Sequence, residues 1–130
     1  MNARILVVED TPNNMYLMTY LLQAHSHTVT PAASGEEALA LARASRPDLV
    51  VMDLQLPGID GYQTLAAMRA DPGLREVPVV AVTSFALVGD RDRILNAGFD
   101  HYVAKPIDPA TFTDEIDAYL PQLLRSSAPN

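Results

Sequence analysis

Four places in the chain set oxygen-bearing or basic side chains directly behind short apolar runs. They are Glu9-Asp10 after Ile5–Val8, Asp53 after Leu49–Met52, Thr83-Ser84 after Val77–Val82, and Lys105-Pro106 after a weaker run that ends at Ala104. Carboxylates gathered in one place repel, which pushes each toward its protonated form unless a cation neutralises the group. A divalent metal is the economical neutraliser. The set offers only oxygen donors: cysteine is absent from the chain and no histidine belongs to the set. That donor set points to Mg²⁺ or Mn²⁺, which use one or two carboxylates, water and substrate phosphate. Each acid taken singly has a plainer reading as a cap on a helix or loop. Three acids behind neighbouring strands fit that reading poorly.

Lys105 is the only lysine, every other member of the Lys and Arg count being arginine. A compact ammonium on a flexible stem suits a small tetrahedral phosphoryl group approached from several angles, where arginine offers a planar fork. Judged alone it is equally a solvated surface lysine; its place between a strand and Pro106 sets it apart. A cis Lys105-Pro106 bond would aim the ammonium into the cleft, although most X-Pro bonds are trans. Thr83 alone reads as a β-branched residue closing a strand. Beside an acyl phosphate its hydroxyl would donate to a phosphoryl oxygen, and the small displacement needed would let the sheet edge sense that group.

These side chains meet only if the apolar runs lie side by side. The runs are rich in β-branched residues and lack polar alternation, as buried parallel strands do. Weaker strands fit Thr28–Ala32 and Asp100–Ala104. Between them the spacing turns helical, with Met15, Met18, Leu21 and Leu22, then Ala38, Leu39, Leu41 and Ala42, and finally Phe112, Ile116, Tyr119, Leu120 and Leu123. Ser34 with Glu37 reads as a capping box, Asp108-Pro109 as a helix start, and Gly98 as a helix stop. Five strand–helix pairs result: an α/β, doubly wound parallel sheet flanked by helices. Right-handed crossovers then put every strand's C-terminal end along one edge, where ligands bind in such sheets.

A chain of 130 residues, 48% hydrophobic and 19% charged, is one domain's worth of core. A formal charge of −7 repels phosphate backbones, so nucleic acid is not an expected partner and proteins are. Glu9 and Asp10 interrupt the first apolar run too soon for a signal peptide or a membrane span, and the lack of cysteine suits a reducing compartment, so a cytoplasmic protein is expected. The histidines read as surface or loop residues: His25 and His27 are too close to share a helical face, and His101 is isolated. Residues 1–124 form the expected domain and 125–130 a short polar tail.

Leu6-Val7-Val8-Glu9-Asp10, Met52-Asp53-Leu54-Gln55-Leu56-Pro57-Gly58-Ile59-Asp60-Gly61, Val82-Thr83-Ser84 and Ala104-Lys105-Pro106 stand in the order and spacing of the response regulator receiver family, which the chain resembles from Arg4 to about Leu124. The resemblance implies a flavodoxin-like fold with strand order 2-1-3-4-5. It implies Asp53 as phosphoacceptor and Mg²⁺ on Asp10 and Asp53, with Glu9 acting through water and Gln55 through its backbone carbonyl. Lys105 would hold the phosphoryl group, Thr83 would be the switch hydroxyl, and Tyr102 the aromatic that turns inward with it. As a residue, Tyr102 also fits a half-buried strand position with its hydroxyl in water. The segment Phe85–Tyr102 is similar to receivers of hybrid kinases and of single-domain regulators, which suggests a phosphorelay. Gln55 and Phe85 stand where the family tunes phosphoryl lifetime.

The implied function is a signalling receiver in a two-component system rather than a metabolic enzyme. Asp53 takes a phosphoryl group from a histidine kinase or histidine phosphotransfer protein and loses it slowly by its own catalysis. A downstream protein would bind the face of the fourth helix, fifth strand and fifth helix. The fourth helix, with Gly89 near its start, is the weakest by propensity and is expected to move most. Two rivals stay within the family: a receiver excised from a hybrid histidine kinase, and a receiver-like module that binds without phosphorylation. A haloacid-dehalogenase-type phosphatase also uses a strand-end Asp with Mg²⁺. It requires an acid two residues later, where this chain has Gln55.

Overall fold

The computed structural model describes residues 3–84 and 88–120. Phe85, Leu123, Leu124 and the tail 125–130 lie outside the described residues. Strand and helix alternate as β1 (Arg4–Val8), α1 (Pro12–Ala24), β2 (Thr28–Ala32), α2 (Gly35–Ala44), β3 (Leu49–Asp53), α3 (Gly61–Ala70), β4 (Val79–Thr83), α4 (Val88–Asn96), β5 (His101–Ala104) and α5 (Phe112–Asp117). All strands pair in parallel in the order β2-β1-β3-β4-β5.

Successive side chains of a strand point to opposite faces, so each strand feeds two cores. Leu6, Val8, Val50, Met52, Val79 and Ala81 pack on one face with Ala38 and Leu39 of α2, Leu65 and Met68 of α3, and Ile94 of α4. Ile5, Val7, Leu49, Val51, Val80 and Val82 pack on the other with Met18 and Leu22 of α1 and Phe112 and Ile116 of α5. That double coverage is why β3 and β4 are buried at every position and read as unbroken apolar runs. Each large side chain so buried contributes ~1.5–3 kcal/mol.

The elements depart from the sequence reading where side chains compete for backbone groups. β4 starts at Val79 rather than Val77, because Pro78 has no N–H to give and the Val77 N–H is spent on the Leu74 carbonyl, 3.1 Å away. The Asp108 carboxylate accepts from the Ala110 N–H (2.9 Å) and makes a turn, so α5 begins at Phe112 with Thr111 as its N-cap instead of at Pro109. Only half of the Ser34 capping box forms. Ser34 Oγ accepts from the Glu37 N–H (3.1 Å), while Glu37 Oε1 accepts from the Ala33 N–H (2.9 Å). The full box is at α3, between Asp60 and Gln63. Gly98 does end its helix turn, at φ +110°, and Lys105-Pro106 is cis.

The surface-or-loop reading fails for His27, which is 3% exposed. Its Nδ1 accepts the Ala3 N–H (3.1 Å), which leaves the proton on Nε2 to be donated to Asp117 Oδ1 (2.8 Å). The histidine thus ties the start of β2 to the end of α5. His25 is half-buried, with Nδ1 3.0 Å from the Leu21 carbonyl. His101 is half-buried on β5, stacked on Tyr119 with ring centroids 4.7 Å apart.

Gly61 is where α3 passes closest to the sheet edge. A Cβ there would lie 2.8 Å from the Asp53 carbonyl oxygen and 2.8 Å from Leu54 Cα, both backbone atoms that cannot step aside. Gly61→Ala is therefore expected to cost ~1–3 kcal/mol, the usual penalty of overpacking. A urea titration will show it as a lower midpoint at unchanged slope, and an unchanged midpoint would contradict this close approach.

Candidate functional site

Strand register assembles the site. Val8 is opposite Met52, so Glu9 emerges beside Asp53. Asp53 is opposite Val82, which sets Thr83 one step beyond it, and Thr83 is opposite Ala104, which sets Lys105 one step further. The Lys105 N–H donates to the Thr83 carbonyl (2.8 Å) and continues the ladder past the strand ends.

Asp53 is 3% exposed and both of its carboxylate oxygens are engaged. Oδ1 accepts the Gln55 N–H (3.1 Å) and Oδ2 accepts from the Lys105 ammonium (3.0 Å). Glu9 is equally buried; its Oε2 accepts the Thr11 N–H (3.0 Å). Its Oε1 is 3.1 Å from the same ammonium, near enough to attract, yet it makes no hydrogen bond. Asp10 is exposed at the rim. Glu9, Asp10 and Asp53 each bring a carboxylate oxygen into a group spanning no more than 4.8 Å.

One ammonium cannot satisfy this cluster. Burial alone would lower the Lys105 pKa, but the hydrogen bond to Asp53 and the negative charge of Asp53 and Glu9 outweigh it and hold it above the ordinary lysine value. Glu9 also shifts up, first because it is buried and further because Asp53 lies beside it; the Thr11 N–H and Lys105 offset this only in part. The ammonium is firmly charged, and Glu9 is the acid left short of positive charge. Three ionised carboxylates against one ammonium leave two negative charges, an oxygen-only donor set and a buried Glu9 oxygen with no hydrogen bond. A hard divalent cation fits all three features.

Thr83 is 2% exposed at the adjoining strand end, and Ser84 is exposed. Tyr102 is opposite Ala81, half-buried, with the Arg91 guanidinium carbon 5.7 Å from its ring centroid. One feature escaped the sequence reading. Tyr62, Asp60, Asp90 and Arg93 line a cavity of about 310 Å³ that also touches Gln55 and Thr83. Arg93 lies over the Tyr62 ring at 4.8 Å. Nothing local in the sequence signals this pairing between two helices.

A cluster of three acids, two of them buried, with a lysine partner at the C-terminal edge of a β2-β1-β3-β4-β5 parallel sheet defines a receiver-type phosphosignalling domain. The chain belongs to the response regulator receiver domain family, whose model matches residues 5–117. It is 41% identical over 120 residues to the polar-differentiation response regulator DivK of Brucella ovis, covering 92% of this chain and 98% of that protein. Its fold is similar to the receiver domain of a sensor histidine kinase from Pseudomonas aeruginosa PAO1, with TM-score 0.84 and 36% identity over 92% of this chain and 98% of that one. That structure holds a magnesium ion coordinated in its active-site cleft. The chemotaxis response regulator CheY4 of Vibrio cholerae is 25% identical with TM-score 0.87, over 92% of this chain and all of that one.

The upward shift of Glu9 gives stability a pH dependence. A carboxyl whose folded pKa lies above its unfolded one adds stability that is complete below the unfolded value and is lost as pH rises through the folded value. Glutamine does not titrate. With chelator present at pH 7, Glu9→Gln is expected to unfold at a higher temperature than the native chain, and the gap should close as pH falls through the carboxyl range. A gap of opposite sign at pH 7, or one that widens in acid, would contradict the charge imbalance at Glu9.

Proposed function

We propose that Asp53 is the phosphoacceptor, taking a phosphoryl group from the phosphohistidine of a histidine kinase or histidine phosphotransfer protein. The observation that carries this is the buried Asp53 carboxylate with Lys105 Nζ 3.0 Å from Oδ2, inside a cluster of three acids. A carboxylate oxygen attacks phosphorus in line, the phosphorus–oxygen bond forms as the phosphorus–nitrogen bond breaks, and the imidazole departs. Lys105 neutralises charge on the transferring group, and the Thr83 hydroxyl donates to one of its oxygens. The work is positioning and electrostatics, with no proton abstraction from the nucleophile.

Mg²⁺, with Mn²⁺ as substitute, would be held by Asp10, Asp53 and the Gln55 carbonyl, with Glu9 acting through water. When bound it offsets charge on the phosphoryl oxygens. The product is a mixed anhydride that water hydrolyses slowly with the same residues, so the signal is self-limiting. Movement of Thr83 toward the phosphoryl group, followed by Tyr102, shifts the equilibrium of the α4–β5–α5 face, where a downstream protein binds. Tyr102, Leu95 and the His101–Tyr119 stack support that face as a contact surface, with Leu95 42% exposed. We assign residues 1–124 to the receiver and 125–130 to a polar tail.

The setting is cytoplasmic, and neither nucleic acid nor membrane is a partner. Among the described residues no helix is long and apolar enough to cross a membrane. A second reading, a receiver that works within a hybrid histidine kinase, is favoured by the 36% identity to a receiver of that origin.

Incubation with acetyl phosphate and Mg²⁺ followed by intact-mass measurement tests the assignment. The native chain should gain one labile phosphoryl group, and Asp53→Asn or metal-free protein none. Lys105→Ala should slow the gain by about 10²–10³-fold, the usual loss for one charge-stabilising group. A gain that survives Asp53→Asn would refute Asp53 as acceptor. No gain from acetyl phosphate, and none from a phosphorylated histidine kinase, would make the chain a phosphorylation-independent binding module.

A further inference from the structure

The arginines of this acidic chain are used in different ways. Arg69 of α3 spends both Nη nitrogens, on the carbonyls of Arg75 (3.0 Å), Val77 (2.7 Å) and Gly98 (3.0 Å) and on Asp100 Oδ2 (3.0 Å). Arg91 and Arg93 lie over the rings of Tyr102 and Tyr62. Arg43 and Arg46 are held by the inner nitrogen instead. Arg43 Nε donates to Asp71 Oδ2 (3.1 Å) and Arg46 Nε to the Gly73 carbonyl (3.1 Å), and no described residue takes up the Nη nitrogens of either. Two guanidinium groups are thus fixed in place with their terminal donors unused.

Both line a cleft of about 440 Å³, together with Ala42 and with Asp71, Gly73 and Leu74. That is the size of a small-molecule site. Ala42 and Leu74 are each 2% exposed and give the cleft an apolar floor. α2 and α3 run back from the acid cluster, and the Asp48 N–H donates to the carbonyl of Arg4 at the start of β1 (2.8 Å), so the cleft lies at the sheet edge opposite Asp53. The charge of Asp71 is already committed. Its Oδ1 accepts the Gly73 N–H (2.9 Å), which, followed by Arg43 at Oδ2, holds the carboxyl below its ordinary value. Two cations against one anion leave the cleft positive on a chain of formal charge −7.

Arg43, in the last turn of α2, has a plainer reading as a neutraliser of that helix end. Its Nε crosses to Asp71 rather than to the carbonyls of its own helix, and Arg46 lies outside the helix altogether. Gly73 is not required by the backbone, because its φ lies outside the left-handed region. A Cβ there would meet only Asp71 Oδ1, at 3.4 Å. The missing side chain leaves room in the cleft.

We propose that this cleft binds a small phosphate ester, with the phosphate on the Nη groups of Arg43 and Arg46 and the organic body over Ala42 and Leu74. Planar forks pair with phosphate oxygens two at a time, and charge-assisted bonds of that kind are the strong ones. A nucleoside monophosphate has the mixed character that the cleft offers. Once bound it ties the end of α2 to the turn before β4. The site goes beyond the receiver reading and needs no phosphoryl transfer, so it stands or fails independently of Asp53.

NMR titration of the isotope-labelled, full-length chain with inorganic phosphate and with adenosine monophosphate tests it, with chelator present so that no metal bridges phosphate to the acid cluster. Saturable shifts are expected at the Nε–H of Arg43 and Arg46 and at the amides of Gly73 and Leu74, with the amides of Asp53, Gln55 and Lys105 unmoved. The nucleotide should bind at least about threefold more tightly than inorganic phosphate, because its body buries apolar surface. Arg43→Gln and Arg46→Gln should each weaken binding by about tenfold or more, the loss expected for hydrogen bonds from a charged donor. Gly73→Val should fill the cleft and abolish binding while the rest of the spectrum stays native, which separates loss of the site from loss of the fold. The proposal is overturned if neither probe gives saturable shifts at the cleft, or if the shifts centre on Lys105. It is also overturned if binding is unchanged in the arginine variants, or if the two probes bind equally, which would reduce the cleft to a spot for any small anion.

Discussion

The structure turns on one ammonium shared by two buried carboxylates. Lys105 is within 3.1 Å of both Glu9 and Asp53, at the edge of a sheet that gives these charges almost no water. Acids so placed repel and lose hydration, and a single positive charge covers only part of that cost. What keeps them there is the apolar body beneath. β1, β3 and β4 are locked by two cores, and their register fixes where each strand runs out. The site is the place where the fold stops burying apolar side chains and spends its stability on charge.

Much of this was legible along the chain. Buried parallel strands appear as unbroken β-branched runs, so the pattern of runs alone marks the residue after each one as an edge residue. Glu9, Asp10, Asp53, Thr83 and Lys105 stand out in that way. The strand order was not readable from the runs themselves, because a parallel strand carries no local mark of its neighbour; it came with the family resemblance. The later start of α5 and the half-formed box at Ser34 were hidden for another reason. Asp108 and Glu37 each had more than one backbone N–H in reach, and the choice between them depends on backbone geometry.

Tertiary pairs were the least legible. His27 looks like a loop residue because its partners, Ala3 and Asp117, are 24 and 90 residues away. Arg69 looks like an ordinary helix-surface charge, yet it closes four hydrogen bonds. The Arg93–Tyr62 contact joins two helices whose patterns say only that each has an exposed side. In all three cases the residue type permits the role and the fold decides it. Family membership accounts for the sheet edge, while these longer-range ties rest on individual side chains.

Calorimetric titration of the native chain with Mg²⁺ reaches the central claim most directly, because a charge deficit in the acid cluster is the reason for the site. Binding of one ion per chain is expected, abolished by Asp53→Asn, sharply weakened by Asp10→Asn, and strengthened when Lys105 is replaced by a neutral residue that no longer competes for the carboxylates. Binding that is indifferent to Asp10 and Asp53, or no heat beyond dilution in the native chain, would contradict that charge deficit.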